Sequence, residues 1–230
     1  MSLAGFFLCF SSSYAINYDY SDAPSQYGEA WHTTDTWQKL GSTWTNEANA
    51  LTPDLDLDDG VWWSLNDGAT WGHDEVTAGQ TIKIRVDMWS AGFGNHAYDQ
   101  VKAWVDLDQD FSWDNQNEMI IAEQFWKPKE MINNDNVPNF NPDDYADLAQ
   151  TNSYFAYLTI PENLVGDLWL RARVSCWETP FDQTTPYGHL WQGEVEDWKI
   201  TVNPVPEPAT MLLLGTGLLG LAGLRRRVKK

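Results

Sequence analysis

Along most of the chain, hydrophobic and polar residues alternate one by one, which is the pattern of half-buried β-strands. The alternation is clear in Ile82–Val86 and in Leu168–Val174, where apolar side chains take every second position. The same criterion predicts strands at Thr81–Trp89, Val101–Asp106, Met119–Phe125, Tyr154–Ile160, Leu168–Ser175 and Glu194–Val202. Before the C-terminal tail, no segment has the long 3.6-residue apolar period of a helix.

Turn-forming residues separate the predicted strands. Gly92–Asn95 and Asn133–Pro138 are rich in Gly, Asn and Pro, which favour turns. Many strands joined in this way predict an all-β fold, either an antiparallel β-sandwich or a jelly roll. One helical turn is expected within Asn139–Gln150. Residues 17–60 are polar and irregular, but no Gly/Ser linker separates them from the strands, so we assign 16–202 to one domain.

The C-terminal end consists of three segments of different character. Asn203–Pro208 is rich in Pro, which does not continue a strand or a helix. Ala209–Leu224 is uncharged and mostly apolar, and predicts a short hydrophobic helix close to the ~17–20 residues that cross a bilayer. Arg225–Lys230 is strongly basic and would stay on the cytoplasmic side. The alternative is a helix buried in the domain, although such helices rarely end in a dense cationic block.

This order of segments resembles the PEP-CTERM sorting signal over 206–230. The residues that carry the resemblance are Pro206, Glu207, Pro208, Arg225, Arg226 and Arg227. The resemblance implies recognition by an exosortase, a membrane protease-transpeptidase of Gram-negative bacteria that make exopolysaccharide. It also implies an inner-membrane anchor before processing, and the cell surface or extracellular matrix afterwards. It implies nothing about the activity of the preceding domain.

The N-terminal residues also point to export. Leu3–Phe10 is a short apolar run, and Ser13 and Ala15 supply small residues at the −3 and −1 positions of a signal-peptidase site. We therefore expect a signal peptide at 1–15, although it lacks the usual basic residues at its start. The alternative is an apolar first strand. Without this segment Cys176 is the remaining cysteine, so the mature domain has no internal disulfide.

Charge and aromatic content narrow the choice of partners. The formal net charge is −19 even with the basic tail included, so the domain should repel nucleic acid and anionic lipid. All 14 Trp lie between Trp31 and Trp198. Most should be core residues, but some could stack on sugar rings. Trp113 and Trp126, which flank an acidic segment and its following strand, are the candidates for glycan contact.

The acidic segment after the strand Val101–Asp106 has the spacing of a calcium-binding loop. Alternate oxygen-bearing side chains can converge on one cation, and calcium takes six to eight oxygen ligands. Carboxylates crowded this closely repel one another unless a cation offsets their charge. The predicted ligands are Asp106, Asp108, Asp110, Ser112, Asp114 and Glu118. Unlike an EF-hand loop, the segment has Phe111 in place of the turn Gly, and Glu118 comes one position late. The alternative is a solvated acidic turn.

Four ordered stretches resemble the GEVED domain, a module of secreted bacterial proteins. Gly193–Trp198 matches the motif that names the domain, and Ala103–Glu118 resembles its acidic stretch. Tyr20–Gly28 and Asp58–Val61 resemble segments that often precede such domains. The departures from the family pattern are Phe111 and Ser112, where the family tends to have Gly and Asp. The resemblance implies an extracellular β-sandwich, often found in adhesin-like proteins, and no known catalysis.

The strand with the Gly193–Trp198 motif presents an electrostatic problem. Alternation places Glu194 and Glu196 on the same face as apolar residues, and buried carboxylates need partners. We predict structural ion pairs with Arg171 and Arg173 on the preceding strand. The alternative is a calcium ion held jointly with the acidic segment.

A binding or matrix protein associated with exopolysaccharide is the leading functional prediction. The alternatives are a purely structural surface component and a carbohydrate-active enzyme, since paired carboxylates can serve a glycosidase. The chain has no G-x-S-x-G or H-E-x-x-H motif and no Cys–His arrangement typical of a nucleophile site. We therefore predict no catalytic residues.

Overall fold

The computed structural model of the protein describes residues 18–33, 37–44, 58–91, 98–113, 117–127 and 149–206. The expected signal peptide, the C-terminal helix and most of the expected helical turn lie outside these residues. So do the predicted ligand Asp114 and the sorting residues Glu207, Pro208, Arg225, Arg226 and Arg227. Within the described ranges, no helix has the length and apolar character that a membrane crossing requires.

All six predicted strands are present, and the predicted all-β fold is confirmed. In the described part of the chain the strands are β1 (Tyr18–Tyr20), β2 (Ala30–Thr33), β3 (Gln38–Leu40), β4 (Val61–Ser64), β5 (Val76–Thr77), β6 (Thr81–Ser90), β7 (Tyr98–Val105), β8 (Met119–Trp126), β9 (Gln150–Thr159), β10 (Gly166–Cys176), β11 (Gly188–Leu190) and β12 (Glu194–Asn203). Two short 3-10 helices, Ser25–Tyr27 and Phe181–Gln183, accompany them. The stretch expected to be irregular holds β1 to β3, which are too short for alternation to be recognised.

Two sheets share the main core. The first has the strand order β5-β12-β10-β7-β8 and is antiparallel except for the parallel pair β12–β5. In the second, β6 is central, with β9 along one edge and β3 and β4 along the other. β9 begins earlier than predicted because its polar first residues also pair with β6. A third sheet, β1-β2-β11, joins the N-terminal part to the segment before β12.

The core forms where alternate side chains of the two large sheets meet. Apolar residues of β6 and β10 are the centre of this cluster, and nearly all are fully buried: Ile82, Ile84, Val86, Met88, Leu168, Leu170, Ala172 and Val174. Burying a Leu, Ile, Val or Met side chain contributes about 1.5–3 kcal/mol relative to exposure. A smaller cluster contains Ala23, Tyr27, Trp104 and Trp113. The second cluster lies beside the acidic loop that follows β7.

Candidate metal centre

The loop after β7 brings four of the six predicted ligand residues together. Asp106, Asp108, Asp110 and Glu118 each contribute an oxygen, and these oxygens all lie within 4.8 Å of one another. Asp106 and Glu118 are buried, whereas Asp108 and Asp110 are exposed. The cluster therefore has a fixed inner side and a side open to solvent.

The other two predicted ligands are Ser112 and Asp114. The backbone N–H of Ser112 donates to Asp110 Oδ1 at 2.8 Å, which keeps Ser112 beside the cluster. Its hydroxyl lies 3.4 Å from the hydroxyl of Tyr187. Asp114 lies outside the described residues.

Asp106 shapes the loop by accepting hydrogen bonds from it. Its two oxygens accept the backbone N–H groups of Asp110 and Phe111, both at 3.1 Å, and the hydroxyl of Tyr27 at 2.7 Å. The Leu107 N–H donates to Glu118 Oε1 at 3.1 Å. Each carboxylate oxygen has two lone pairs, so Asp106 Oδ2 is saturated by Tyr27 and Phe111, whereas Asp106 Oδ1 keeps a lone pair for a cation. The donors to Asp106 are neutral groups and do not offset its charge.

Phe111 adopts the backbone conformation for which glycine is usually required. Its φ is 67°, and that of Gln109 is 58°, both in the left-handed region. That region costs a non-glycine residue roughly 1–2 kcal/mol. The Phe111 ring packs edge-on against Tyr27, with centroids 5.5 Å apart, and this contact offsets part of the cost. The loop thus makes the tight turn without the glycine that the family pattern favours.

Tyr27 closes the inner side of the cluster. Burial and its hydrogen bond to Asp106 raise the pKa of Tyr27 well above its ordinary value, with Asp106, Asp110 and Glu118 adding to the effect. The hydroxyl therefore stays protonated and remains a donor to Asp106. Its position cannot be inferred from sequence, because Tyr27 lies far from the loop along the chain.

The two candidates for glycan contact have different environments. Trp113 is 1% exposed, its ring centroid lies 4.8 Å from that of Tyr27, and its Nε1–H donates to the Tyr27 carbonyl at 3.1 Å. The prediction that Trp113 contacts a glycan is therefore wrong, because the loop folds its ring inward onto Tyr27. Trp126, at the end of β8, is 63% exposed and contacts the ring of Tyr98.

The predicted ion pairs of Arg171 and Arg173 with Glu194 and Glu196 are also wrong. In the register of β10 and β12, Arg171 lies opposite Asp197, so both arginines project from the opposite face of the sheet to the two glutamates. The Nε and Nη2 groups of Arg171 donate to the two carboxylate oxygens of Asp197 at 2.7 and 2.8 Å. The sequence prediction did not include Asp197. Its position next to Glu196 was the available signal, because adjacent residues of a strand point to opposite faces.

Arg173 binds the third sheet mainly through backbone carbonyls. Its guanidinium donates to the carbonyls of Thr185 and Gly188 at 2.7 and 2.9 Å. Its Nε donates to His32 Nε2 at 3.0 Å, so His32 Nδ1 carries the proton and donates to the Gln192 carbonyl at 2.9 Å. Burial, with Arg173 nearby, lowers the pKa of His32 well below its ordinary value. His32 is thus a neutral structural residue.

Glu194 and Glu196 bind the chain segments that carry β3 and β4. The Leu40 N–H donates to Glu194 Oε2 at 2.6 Å, and the Gly60 N–H donates to Glu196 Oε1 at 2.9 Å. The indole N–H of Trp198 donates to Glu196 Oε2 at 3.0 Å. A Cβ at Gly60 would lie 2.6 Å from the Leu40 Cβ and 2.9 Å from Glu196 Oε1, so this close approach requires glycine.

A second group of carboxylates forms around these glutamates. Oxygens of Asp58, Glu194 and Glu196 lie within 4.8 Å of one another. Burial raises the pKa of Glu194 well above its ordinary value, and the nearby charges of Asp19, Glu196 and Asp58 add to this. Burial likewise raises the pKa of Glu196 to about 7. The pair therefore keeps protons at pH values where ordinary carboxyl groups have lost them.

These features define an all-β sandwich domain with a carboxylate-lined loop and an acidic last strand. A family model of the GEVED domain matches residues 100–201, which include the loop, both arginines and β12. A model of the PEP-CTERM protein-sorting motif matches residues 204–227. The chain thus carries a GEVED domain followed by a PEP-CTERM motif, and both resemblances are confirmed. A comparison with the sequences of curated proteins found no match.

The sorting motif establishes exosortase-dependent export to the cell surface. The structure describes the first three residues of the motif, Pro204–Pro206. They directly follow β12 and are exposed. The recognised tail therefore begins outside the packed part of the domain.

The raised pKa of Glu196 predicts a pH-dependent stability. The folded state binds a proton that the unfolded state releases near pH 4.5, so the free energy of unfolding should fall as pH rises from about 4.5 to about 7. One such group contributes at most roughly 1.4 kcal/mol per pH unit. Urea unfolding across this range, with chelator present, should show a shallower fall for Glu196→Gln than for the unchanged protein.

Two details make this comparison specific. Glu196→Gln should lower stability at low pH as well, since the amide NH2 cannot accept the Trp198 N–H. The exposed Glu162→Gln should leave the pH dependence unchanged. Parallel curves for Glu196→Gln and the unchanged protein would show that Glu196 titrates normally.

Proposed function

We propose that this protein is a calcium-stabilised binding protein of the cell surface or extracellular matrix, and that its partner is exopolysaccharide. The convergence of Asp106, Asp108, Asp110 and Glu118 is the observation that carries the calcium part of the proposal. Surface sorting and exposed aromatic side chains support the polysaccharide part.

The donor set of the loop suits calcium. It consists of carboxylate oxygens, and calcium accepts six to eight oxygens in variable geometry. The exposed side of Asp108 and Asp110 leaves room for water ligands. Magnesium fits less well, because it demands near-octahedral geometry and releases its waters reluctantly. With a cation bound, the mutual repulsion of the four carboxylates would become attraction to one centre.

Exposed aromatic rings support a carbohydrate partner. Trp126 and Trp191 are 63% and 60% exposed, on a protein whose net charge of −19 disfavours anionic partners. Such rings offer flat apolar faces, with a polar N–H at the edge, to the C–H face of a sugar. An extracellular polysaccharide is the polymer that a protein sorted to this surface would meet.

The tail accounts for the route to the surface. In this proposal Ala209–Leu224 holds the newly exported protein in the inner membrane, with Arg225–Arg227 on the cytoplasmic side. Exosortase then processes the chain at the Pro-Glu-Pro motif. The domain reaches the cell surface or matrix without its anchor.

A glycosidase remains the alternative, and the carboxylate geometry of the loop does not favour it. Catalytic carboxylates of retaining and inverting glycosidases lie about 5–5.5 Å and 6.5–9.5 Å apart, respectively. The four oxygens of the loop lie within 4.8 Å of one another, which suits a shared cation better than a sugar between them.

Calcium should raise the melting temperature of the protein. At a hundredfold excess over its dissociation constant, an ion bound only by the folded state stabilises it by about 2.7 kcal/mol. For a domain of this size that corresponds to about 5–11 °C in Tm, and chelator should reverse the shift. Differential scanning calorimetry in calcium, magnesium and chelator measures it.

The double variant Asp108→Asn with Asp110→Asn should lose most of this shift. Its Tm in chelator should equal or exceed that of the unchanged protein, because the variant removes like charges from an exposed site. Glu162→Gln, an exposed change outside the cluster, should keep the full calcium response. Equal Tm values in calcium and in chelator would leave the loop as a solvated acidic turn.

Truncation after Val205 should release the domain from the membrane fraction, because it removes the apolar segment and the basic end. Replacing Pro206 and Pro208 by Ala in the full chain should have the opposite effect, since unprocessed protein keeps its anchor. Immunoblots of membrane and soluble fractions distinguish these results. A truncated chain that stays with the membrane would contradict anchoring by the tail.

Full-length protein, purified in a non-glycosidic detergent, should be retarded in native gels that contain a soluble polysaccharide. It should release no reducing sugar from the same polymers. Unchanged mobility in hydroxyethylcellulose, glucomannan, dextran and alginate would count against a polysaccharide partner. Sugar release would favour the glycosidase.

A further inference from the structure

The outer face of the second sheet carries a strip of aromatic and cationic side chains. In the registers of β6 with β9 and β4, Lys83 lies opposite Tyr157, and Arg85 lies opposite Phe155 on one side and Trp62 on the other. Side chains opposite one another point to the same face, and the neighbouring β6 residues Ile82, Ile84 and Val86 point into the core. These five side chains therefore share the solvent face.

The strip is continuous across the sheet. The Lys83 ammonium lies 5.2 Å from the Phe155 ring centroid and 5.3 Å from that of Tyr157. The Arg85 guanidinium lies 4.7 Å from the Trp71 ring and 5.7 Å from the Trp62 ring. Trp71 and Phe155 connect the two halves, with ring centroids 5.8 Å apart. Cation–π contacts of this kind help to hold the rings in place, and the Trp62 ring also stacks on His73, with centroids 4.8 Å apart.

A cavity with mixed polar and apolar lining continues the strip at the Trp62 end. Its volume is about 210 Å³, and Trp62, Arg85, Asp59, Asp87 and Thr151 are among its lining residues. The Asp59 carboxylate is fixed by the Ser42 N–H at 2.8 Å, and Asp87 accepts the Ser153 hydroxyl at 2.6 Å. The cavity thus combines an indole ring with preoriented carboxylates, a guanidinium and a hydroxyl. Those groups match the apolar C–H face and the hydroxyl groups of a sugar ring.

The charges of this face favour a neutral polymer. Lys83 contacts Asp67 at 3.6 Å, and Arg85 contacts Asp87 at 3.2 Å, so each cation has an acidic neighbour. The face is therefore close to neutral on a chain with a net charge of −19. A polyanion would be repelled by the rest of the protein, whereas a neutral polysaccharide needs ring faces and hydrogen-bonding groups.

We propose that this face binds a neutral polysaccharide, with one sugar in the cavity beside Trp62 and Arg85 and further sugars along Phe155 and Tyr157. The proposal deepens the polysaccharide partnership proposed above and rests on it. β4 and β6 precede the residues that match the GEVED model, so the site belongs partly to the lead-in of the domain. Phe155 and Tyr157 are 51% and 63% exposed and offer their rings to such a polymer.

Affinity electrophoresis of the full-length protein in hydroxyethylcellulose, glucomannan, dextran and alginate tests the site. Phe155→Ala with Tyr157→Ala should weaken retardation in the neutral polymer that binds, by roughly tenfold for each ring that stacks on a sugar. Trp62→Phe should weaken it less, because a smaller ring remains. Trp177→Ala is the matched control, since Trp177 is 43% exposed and follows β10 outside the strip, and it should bind normally. Trp126→Ala tests the other candidate ring, at the end of β8. Equal Tm values exclude unfolding as the cause.

The outcomes separate this site from the broader function. If the unchanged protein binds none of the four polymers, both the polysaccharide partnership and the site fail. If it binds but the Phe155/Tyr157 double variant binds equally well, the site is overturned while the partnership stands. Loss of binding in Trp126→Ala alone, preferential binding of alginate, or a double variant that changes oligomeric state but keeps glycan binding would also overturn it.

Discussion

The buried ion pair between Arg171 and Asp197 joins the first sheet to the N-terminal segment and to the acidic loop. Asp197 also accepts the Ala23 N–H at 2.7 Å, and the Arg171 guanidinium lies 5.1 Å from the Trp113 ring centroid. Trp113 in turn binds Tyr27, whose hydroxyl orients Asp106. Removing one member of such a buried pair leaves an uncompensated charge and costs about 3–5 kcal/mol. The geometry of the candidate metal centre therefore depends on a contact outside it.

The acidic residues of β12 have different partners because alternate side chains point to opposite faces of the sheet. Gly193 comes first, at φ 116°, where a Cβ would lie 1.8 Å from the Val174 carbonyl oxygen, so only glycine fits. The two glutamates then bind backbone N–H groups on the core side, while the aspartate holds an arginine on the other side. The motif is a set of structural contacts. Two of its acids need protonation or a cation, because no arginine faces them in the β10–β12 register.

Period-2 alternation predicted the long strands because each buries one face, and close acid spacing predicted the convergent loop. The partner of Arg171 could not be predicted so directly, because the register of β10 with β12 decides which acids share its face. Trp113 was assigned to the surface because the loop's inward turn depends on Tyr27, which is distant in sequence. The strip across β4, β6 and β9 was not predicted either, since its rings come together through pairings between strands far apart in the chain.

The position of the strip follows from the same alternation that builds the core. Strand β6 sends every second side chain into the core, so its other side chains, which include Lys83 and Arg85, find their partners on the solvent face. Aromatic neighbours on β4 and β9, together with Trp71 after β4, supply those partners, which leaves the Phe155 and Tyr157 rings exposed to solvent. A face with a purely structural role would need fewer large rings than these to contact two half-buried cations. The excess of aromatic surface is therefore the physical reason for which we propose binding at this face.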